Sequence, residues 1–183
     1  MKVVFAALEA FDPTYGELWK SYVAWSKLTH LCEVVSHDHM LCPSIIEKLV
    51  DEDWNYLAYT DVISFPMLFS DLDYLFRRVG RTDKKFQIIA TAREPEKDNL
   101  QSFCNPRFEL KGFDLVDEAL GTSTLTNCGG FDNAFSGSDL SECGLIRDRE
   151  KALAVRRLLS MNYPEERHAD CEMWGVWKMR NDT

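Results

Sequence analysis

The chain has 183 residues, of which 45% are hydrophobic and 12% aromatic, and its formal net charge is −9. This length fits one globular domain over residues 1–183 whose core needs no disulfide or metal, and the aromatic content excludes a disordered chain. The negative charge argues against nucleic acid and anionic membranes as partners, because both would be repelled.

The first part of the chain predicts alternating strands and helices. The apolar spacing and capping signals indicate a strand at residues 2–8, a helix at 12–26, a strand at 31–36, a helix at 43–50, a strand at 54–60 and a helix at 70–80. The last helix has the clearest signals, since carboxylates occupy its first turn, arginines its last turn, and Gly80 ends it.

The second part contains two strands with no helix between them. Strands are predicted at residues 86–92, 108–116 and 170–179, a helix at 148–161, and irregular segments at 93–106 and 118–144. In the segment 108–116 the alternation of apolar residues slips by one position at Gly112, which predicts a β-bulge. The strand at 170–179 is apolar on both faces, so we expect it in the interior of a sheet.

This order of elements favours an α+β fold, a layered single domain with a mixed sheet of about six strands and about four helices. Neither GxGxxG nor GxxxxGK[ST] occurs in the sequence, so dinucleotide-binding and P-loop folds lack their key residues. The six cysteines are widely spaced without a CxxC pair, and the apolar run before Glu9 is too short for a signal peptide. We therefore predict a cytoplasmic protein with reduced thiols and no cofactor.

Two clusters of residues have the composition of a chemical site. Cys128 stands between Asn127 and two glycines, where backbone amides can form an oxyanion hole, with His168 as base and Asp170 or Asp148 orienting that base. This arrangement predicts a cysteine-dependent hydrolase or transferase as the alternative function; the opposing interpretation is a buried structural thiol. His37, Asp38, His39 and Cys42 form a second cluster, in which His37 and His39 could bind one metal ion from the same face. They are half of a zinc ligand set, and His30 or Cys104 would have to supply the rest from a distance, so no metal site is predicted.

The function that the sequence favours is binding of a basic protein through an acidic surface. Residues 1–76 contain 4 Lys and Arg against 12 Asp and Glu, so they carry almost all of the excess negative charge. The predicted partner-binding residues are Asp51, Asp53, Trp54, Asp61, Asp71 and Asp73, with Trp54 as an aromatic anchor. A small immunity-like or inhibitor-like protein has this profile, although the same charge also serves solubility. Replacing Asp51 and Asp53 by lysine is expected to slow association and leave folding intact.

Overall fold

A computed structural model describes residues 1–9, 16–35, 49–59, 68–80, 86–100, 103–117, 122–125, 134–165 and 167–180. One sheet runs through these residues, and its strands are β1 (Val4–Glu9), β2 (Leu57–Ala58), β3 (Leu68–Phe69), β4 (Phe86–Arg93), β5 (Phe108–Asp117), β6 (Thr122–Ser123) and β7 (Glu172–Met179). Their spatial order is β2-β3-β1-β4-β7-β5-β6. All the pairings among the described strands are antiparallel.

The helices of the described residues are α1 (Gly16–Ser26), α2 (Leu72–Val79), α3 (Lys97–Leu100) and α4 (Arg149–Asn162), with 3-10 helices at Asp51–Asn55, Gly137–Asp139 and Arg167–Asp170. The helices α2 and α4 each begin directly after an aspartate that caps their first turn. Asp71 accepts a hydrogen bond from the Tyr74 amide, and Asp148 accepts one from the Lys151 amide. Each carboxylate satisfies an amide that has no partner within its helix.

Two hydrophobic clusters lie on opposite sides of the sheet. In β1, Val4, Ala6 and Leu8 belong to the first cluster and Ala7 to the second, as the alternation of side chains along a strand requires. The first cluster includes the buried residues of α4 and is contacted by Trp19 of α1, whereas the second includes Tyr74 and Leu75 of α2. The sheet therefore separates α2 from α1 and α4.

The strand β7 lies inside the sheet, between β4 and β5, and this confirms the prediction made from its two apolar faces. The predicted bulge is confirmed as well, because the register of β5 against β7 shifts between Leu110 and Gly112. Gly112 has φ 141°, and a Cβ atom there would lie 2.6 Å from the carbonyl oxygen of Ile146. Only glycine fits both the backbone angle and this close approach.

The α+β class is confirmed, with two changes in detail. The described sheet is antiparallel rather than mixed, and it has seven strands, of which β2, β3 and β6 have two residues each. The predicted helices at 70–80 and 148–161 are present as α2 and α4, and the strands at 2–8, 86–92, 108–116 and 170–179 as β1, β4, β5 and β7.

Two predicted strands are wrong in whole or in part. The part of 31–36 that the structure describes is irregular: Cys32 and Val35 donate backbone hydrogen bonds to the carbonyl oxygens of Glu142 and Cys143 without forming a regular ladder. The predicted strand at 54–60 is replaced by the 3-10 helix Asp51–Asn55 followed by the two residues of β2. The segment 93–106 contains α3, and 118–144 contains β6 and one 3-10 helix. Most of the predicted helix at 43–50 lies outside the described residues.

Candidate partner-binding surface

The 3-10 helix Asp51–Asn55, which we call the acidic turn, is fixed by a buried carboxylate. Asp53 is fully buried although it carries a charge. Its Oδ2 accepts a hydrogen bond of 2.7 Å from the backbone amide of Val50. Its Oδ1 accepts hydrogen bonds of 2.6 Å from the Tyr74 hydroxyl and 3.0 Å from Arg78 Nε. A buried carboxylate with this many donors is held in one orientation, and so is the turn that carries it.

The two side-chain donors to Asp53 come from α2 because of helical spacing. Tyr74 and Arg78 are four residues apart, so their side chains extend from the same face of the helix towards the acidic turn. A second contact aligns the two elements, since the rings of Tyr56 and Tyr74 stack with centroids 3.9 Å apart and an interplanar angle of 12°. The Ser70 amide and hydroxyl also donate to the carbonyl oxygen of Tyr56, at 2.8 and 3.0 Å.

The contacts of this cluster shift the pKa values of two ionisable groups in opposite directions. Burial alone would raise the pKa of Asp53, but hydrogen bonds from Tyr74, Val50 and Arg78 together with the charge of Arg78 lower it below the ordinary value. Burial and the neighbouring carboxylate of Asp53 raise the pKa of Tyr74 to about 12. At neutral pH the cluster therefore holds an ionised aspartate, a neutral tyrosine and a charged arginine.

The acidic turn and the start of α2 present charged and aromatic side chains to solvent. Trp54 is 60% exposed and Val50 is 39% exposed. The carboxylates of Asp51, Glu52, Asp71 and Asp73 are also exposed. Glu52 is close enough to Tyr74 for its charge to contribute to the raised pKa of that tyrosine, so the turn carries its charge beside α2. We call Asp51, Glu52, Trp54, Asp71 and Asp73 together the acidic face.

Two of the predicted partner-binding residues differ from the other four. The prediction that Asp53 is a partner-binding side chain is wrong, because its carboxylate is buried and paired with Arg78. The expectation that lysine at position 53 would leave folding intact is wrong for the same reason, since a second cation would replace the partner of Arg78. Asp61 lies outside the described residues. Asp51, Trp54, Asp71 and Asp73 are exposed, and their part in partner binding stays a prediction.

The supporting residues of this surface were not among the sequence-based candidates. Tyr74 and Arg78 fix the acidic turn, and Tyr56 packs at its end. No recognisable sequence motif connects these three residues with Asp53. The available signal was the spacing of Tyr74 and Arg78 on one face of a predicted helix. That spacing indicates a shared contact and does not identify the carboxylate that fills it.

The candidate thiol site is only partly within the described residues. Cys128 lies outside them, and the backbone of His168 lies in the 3-10 helix Arg167–Asp170. Asp170 is exposed, and Asp148 serves as the N-cap of α4. The described structure thus assigns a structural role to Asp148, and the hydrolase function stays a prediction.

Two other cysteines have environments that suppress reactivity. Cys143 and Cys171 are buried, and burial raises the pKa of each thiol to about 12. At neutral pH both are therefore protonated, and the protonated thiol is a poor nucleophile. Cys32 is an exposed free thiol, and Cys104 is also exposed.

The described part of the chain contains no group of three or more His, Cys, Asp or Glu side chains placed to hold a metal ion. His37, Asp38, His39 and Cys42 lie outside that part. Among the helices that the structure describes, none combines the length and apolar character needed to cross a membrane.

No protein-family model matches the sequence, and no curated protein or solved structure shows significant similarity to it.

Proposed function

We propose that this protein is a non-enzymatic cytoplasmic binding protein, of the immunity or inhibitor type, that engages a basic protein through its acidic face. One observation carries the proposal: Trp54 is 60% exposed on a turn whose orientation is fixed by the buried Asp53. A large aromatic side chain that is both exposed and held in place is the usual form of an energetic anchor in protein interfaces.

The exposed surface of Trp54 is available for contact with a partner. Covering its exposed surface on binding would contribute on the order of 2 to 4 kcal/mol, which is the range found for interface anchors. The turn is ordered before a partner arrives, since Val50, Tyr74 and Arg78 all donate hydrogen bonds to Asp53. Binding therefore does not have to order this segment, and less of the interaction free energy is lost.

The other side chains of the acidic face carry negative charge. The acidic face has four exposed carboxylates, whereas Arg77 is the exposed cation of α2 and Arg78 is already neutralised by Asp53. The surface that these described residues form is therefore net negative. A field of this sign accelerates encounter with a basic partner and disfavours acidic ones.

A capture experiment tests the proposal. Purified protein is immobilised, exposed at low ionic strength to basic proteins encoded beside its gene, and washed with increasing NaCl. The wild-type protein is expected to retain a basic protein that salt releases, and Trp54→Ala is expected to weaken its binding at least about tenfold. Glu165→Lys is the matched control, because Glu165 is an exposed carboxylate in the turn after α4, the helix on the other side of the sheet.

Each outcome bears on the proposal. Retention that is lost in Trp54→Ala and kept in Glu165→Lys supports a specific role for the acidic face. Equal loss in both variants would show that the acidic face has no specific role in retaining the partner. A captured partner that binds Trp54→Ala as tightly as wild type would refute the assignment of Trp54 as the anchor.

A further inference from the structure

Three exposed arginines, Arg77, Arg107 and Arg180, lie near the last turn of α2, and we call them the arginine surface. Arg77 belongs to that turn, while Arg107 directly precedes β5 and Arg180 directly follows β7. The Arg180 amide donates a hydrogen bond of 2.7 Å to the carbonyl oxygen of Arg107, so these two residues are neighbours. Within the part of the chain that the structure describes, none of the three forms an ion pair.

Two of the guanidinium groups are held against aromatic rings of α2. Arg77 Cζ lies 5.6 Å from the centroid of the Tyr74 ring, and Arg107 Cζ lies 4.8 Å from that of Phe76. Arg107 Nη2 also contacts Met179 Sδ, a weak acceptor, at 3.8 Å. A guanidinium stacked on a ring has its N–H groups at the edge, where they bind carboxylates through two parallel hydrogen bonds. Both arginines are thus oriented before a ligand arrives, which reduces the entropy lost on binding.

The positions of the two rings set the distance between the two charges. Tyr74 and Phe76 are two residues apart, so they leave α2 about 200° apart, on opposite flanks of the helix. The guanidinium groups of Arg77 and Arg107 are therefore separated by the diameter of a helix, on the order of 10 Å. One small anion cannot contact both groups at that distance. An extended peptide does so with carboxylates two or three residues apart, because its chain rises about 3.3 Å per residue.

The composition of the arginine surface favours a protein segment over nucleic acid. Proteins that bind nucleic acid typically contact about 6 to 10 phosphates, whereas this surface has three arginines and the carboxylate of Asp73 one turn before Arg77. The half-buried Phe76 and Met179 provide apolar area beside the charges. Aromatic residues, methionine and arginine are the side chains that are enriched in protein–protein interfaces.

We propose that the arginine surface binds an extended acidic segment of a protein, in which carboxylates two or three residues apart pair with Arg77 and Arg107. Arg180 adds positive charge beside Arg107 and attracts the segment. The arginine surface shares no residue with the acidic face, and the synthetic peptides that test it require no basic partner. The proposed function and this proposal are therefore independent, and either one stands if the other fails.

A nuclear magnetic resonance titration of the isotopically labelled full chain tests the proposal. One synthetic peptide has two glutamates three residues apart among neutral residues, and a second peptide has the same two glutamates adjacent. At low ionic strength the spaced peptide is expected to bind with a Kd on the order of 1 mM and to shift the Nε–H signals of Arg77 and Arg107. The adjacent peptide is expected to bind at least about threefold more weakly, because it reaches only one arginine at a time.

Charge variants locate the contact. Arg77→Glu and Arg107→Glu are each expected to weaken binding of the spaced peptide at least about fivefold. Arg157→Glu is the matched control, because Arg157 is an exposed arginine of α4, and it is expected to stay within about twofold of wild type. Asp73→Asn is expected to strengthen binding about twofold, since it removes a negative charge one turn from Arg77. A wild-type-like spectrum confirms that each variant is folded.

Four results would overturn the proposal. The first is no binding of the spaced peptide at concentrations up to about 10 mM. The second is equal affinity for the two peptides, because it would show that the spacing of the arginines is not read. The third is equal loss of binding in Arg107→Glu and Arg157→Glu. The fourth is a single-stranded DNA of the same charge that binds more tightly than the spaced peptide and is lost in Arg107→Glu, since it would assign the surface to nucleic acid.

Discussion

The substitution Asp53→Asn is expected to destabilise the protein strongly, although it removes only a charge and keeps the shape of the side chain. Three donors converge on the carboxylate: the Val50 amide, the Tyr74 hydroxyl and Arg78 Nε. Asparagine offers one acceptor oxygen, so at least one donor would face the NH₂ group instead. The Arg78 guanidinium, whose side chain is only 12% exposed, would also lose its counter-charge.

Breaking a buried ion pair by removing one member costs about 3 to 5 kcal/mol. In a chain of this length that corresponds to a fall in Tm of roughly 10 °C. Two aspartates of the same region serve as controls with graded costs. Asp71→Ala removes the N-cap of α2 and is expected to cost about 1 kcal/mol. Asp73→Asn changes an exposed carboxylate and is expected to stay within about 0.5 kcal/mol of wild type.

Urea denaturation at pH 7, with thermal unfolding as a check, measures all three variants. A second comparison isolates the buried charge: Arg78→Met in the Asp53→Asn background removes the cation that has lost the carboxylate of Asp53, and is expected to recover at least about 1 kcal/mol. If Asp53→Asn unfolds within 1 kcal/mol of Asp73→Asn, the reasoning that Asp53 fixes the acidic turn is refuted.

The same cluster gives a pH dependence with a defined sign. The pKa of Asp53 is lower in the folded state, so its stabilising contribution is present above the ordinary aspartate pKa of 3.8 and is lost as the pH falls below that value. The difference in stability between wild type and Asp53→Asn should therefore shrink in acid. For Tyr74 the folded pKa is raised from 10.0 to about 12, so stability is full below pH 10 and decreases from there to about pH 12. Tyr74→Phe should remove this alkaline decrease.

Two further predictions concern the sheet and the thiols. Gly112→Ala is expected to cost about 2 to 4 kcal/mol in urea denaturation because its φ of 141° and a backbone oxygen 2.6 Å from the new Cβ both oppose a side chain. Gly16→Ala, which meets no atom within 4 Å, should be neutral or slightly stabilising, and equal costs at the two sites would contradict this account. In the native protein at pH 7, iodoacetamide should label Cys143 and Cys171 at least about a hundredfold more slowly than the exposed Cys32. Equal rates, read by peptide mass spectrometry, would show that burial does not protect these thiols.

The sequence predicted the elements whose signals are local. The ends of α2 follow from Asp71, the arginines of its last turn and Gly80, which all act within one or two turns. The bulge in β5 follows from a one-residue slip in alternation at Gly112. The interior position of β7 follows from its two apolar faces. In each case the residues that determine the structure are neighbours in the chain.

The burial of Asp53 could not be predicted from the sequence because its partners lie 21 and 25 residues further along the chain. In the sequence Asp51, Glu52 and Asp53 form a uniform charged triplet that is typical of a solvated loop. In the structure the three carboxylates differ because Asp53 is the one that Tyr74 and Arg78 of α2 contact. The charged triplet therefore predicted an acidic surface at the turn, but it did not predict which of the three carboxylates is buried and supports that turn.

The rate of association with the captured basic protein, measured by stopped flow over a range of salt, tests the central claim most directly. The variant to compare with wild type is Asp51→Lys with Glu52→Lys, because both carboxylates are exposed and Asp53 stays intact. At low ionic strength the double variant is expected to associate at least about tenfold more slowly, with an unchanged Tm and a smaller salt dependence. Equal association rates for wild type and the double variant would contradict a role of the acidic face in partner binding.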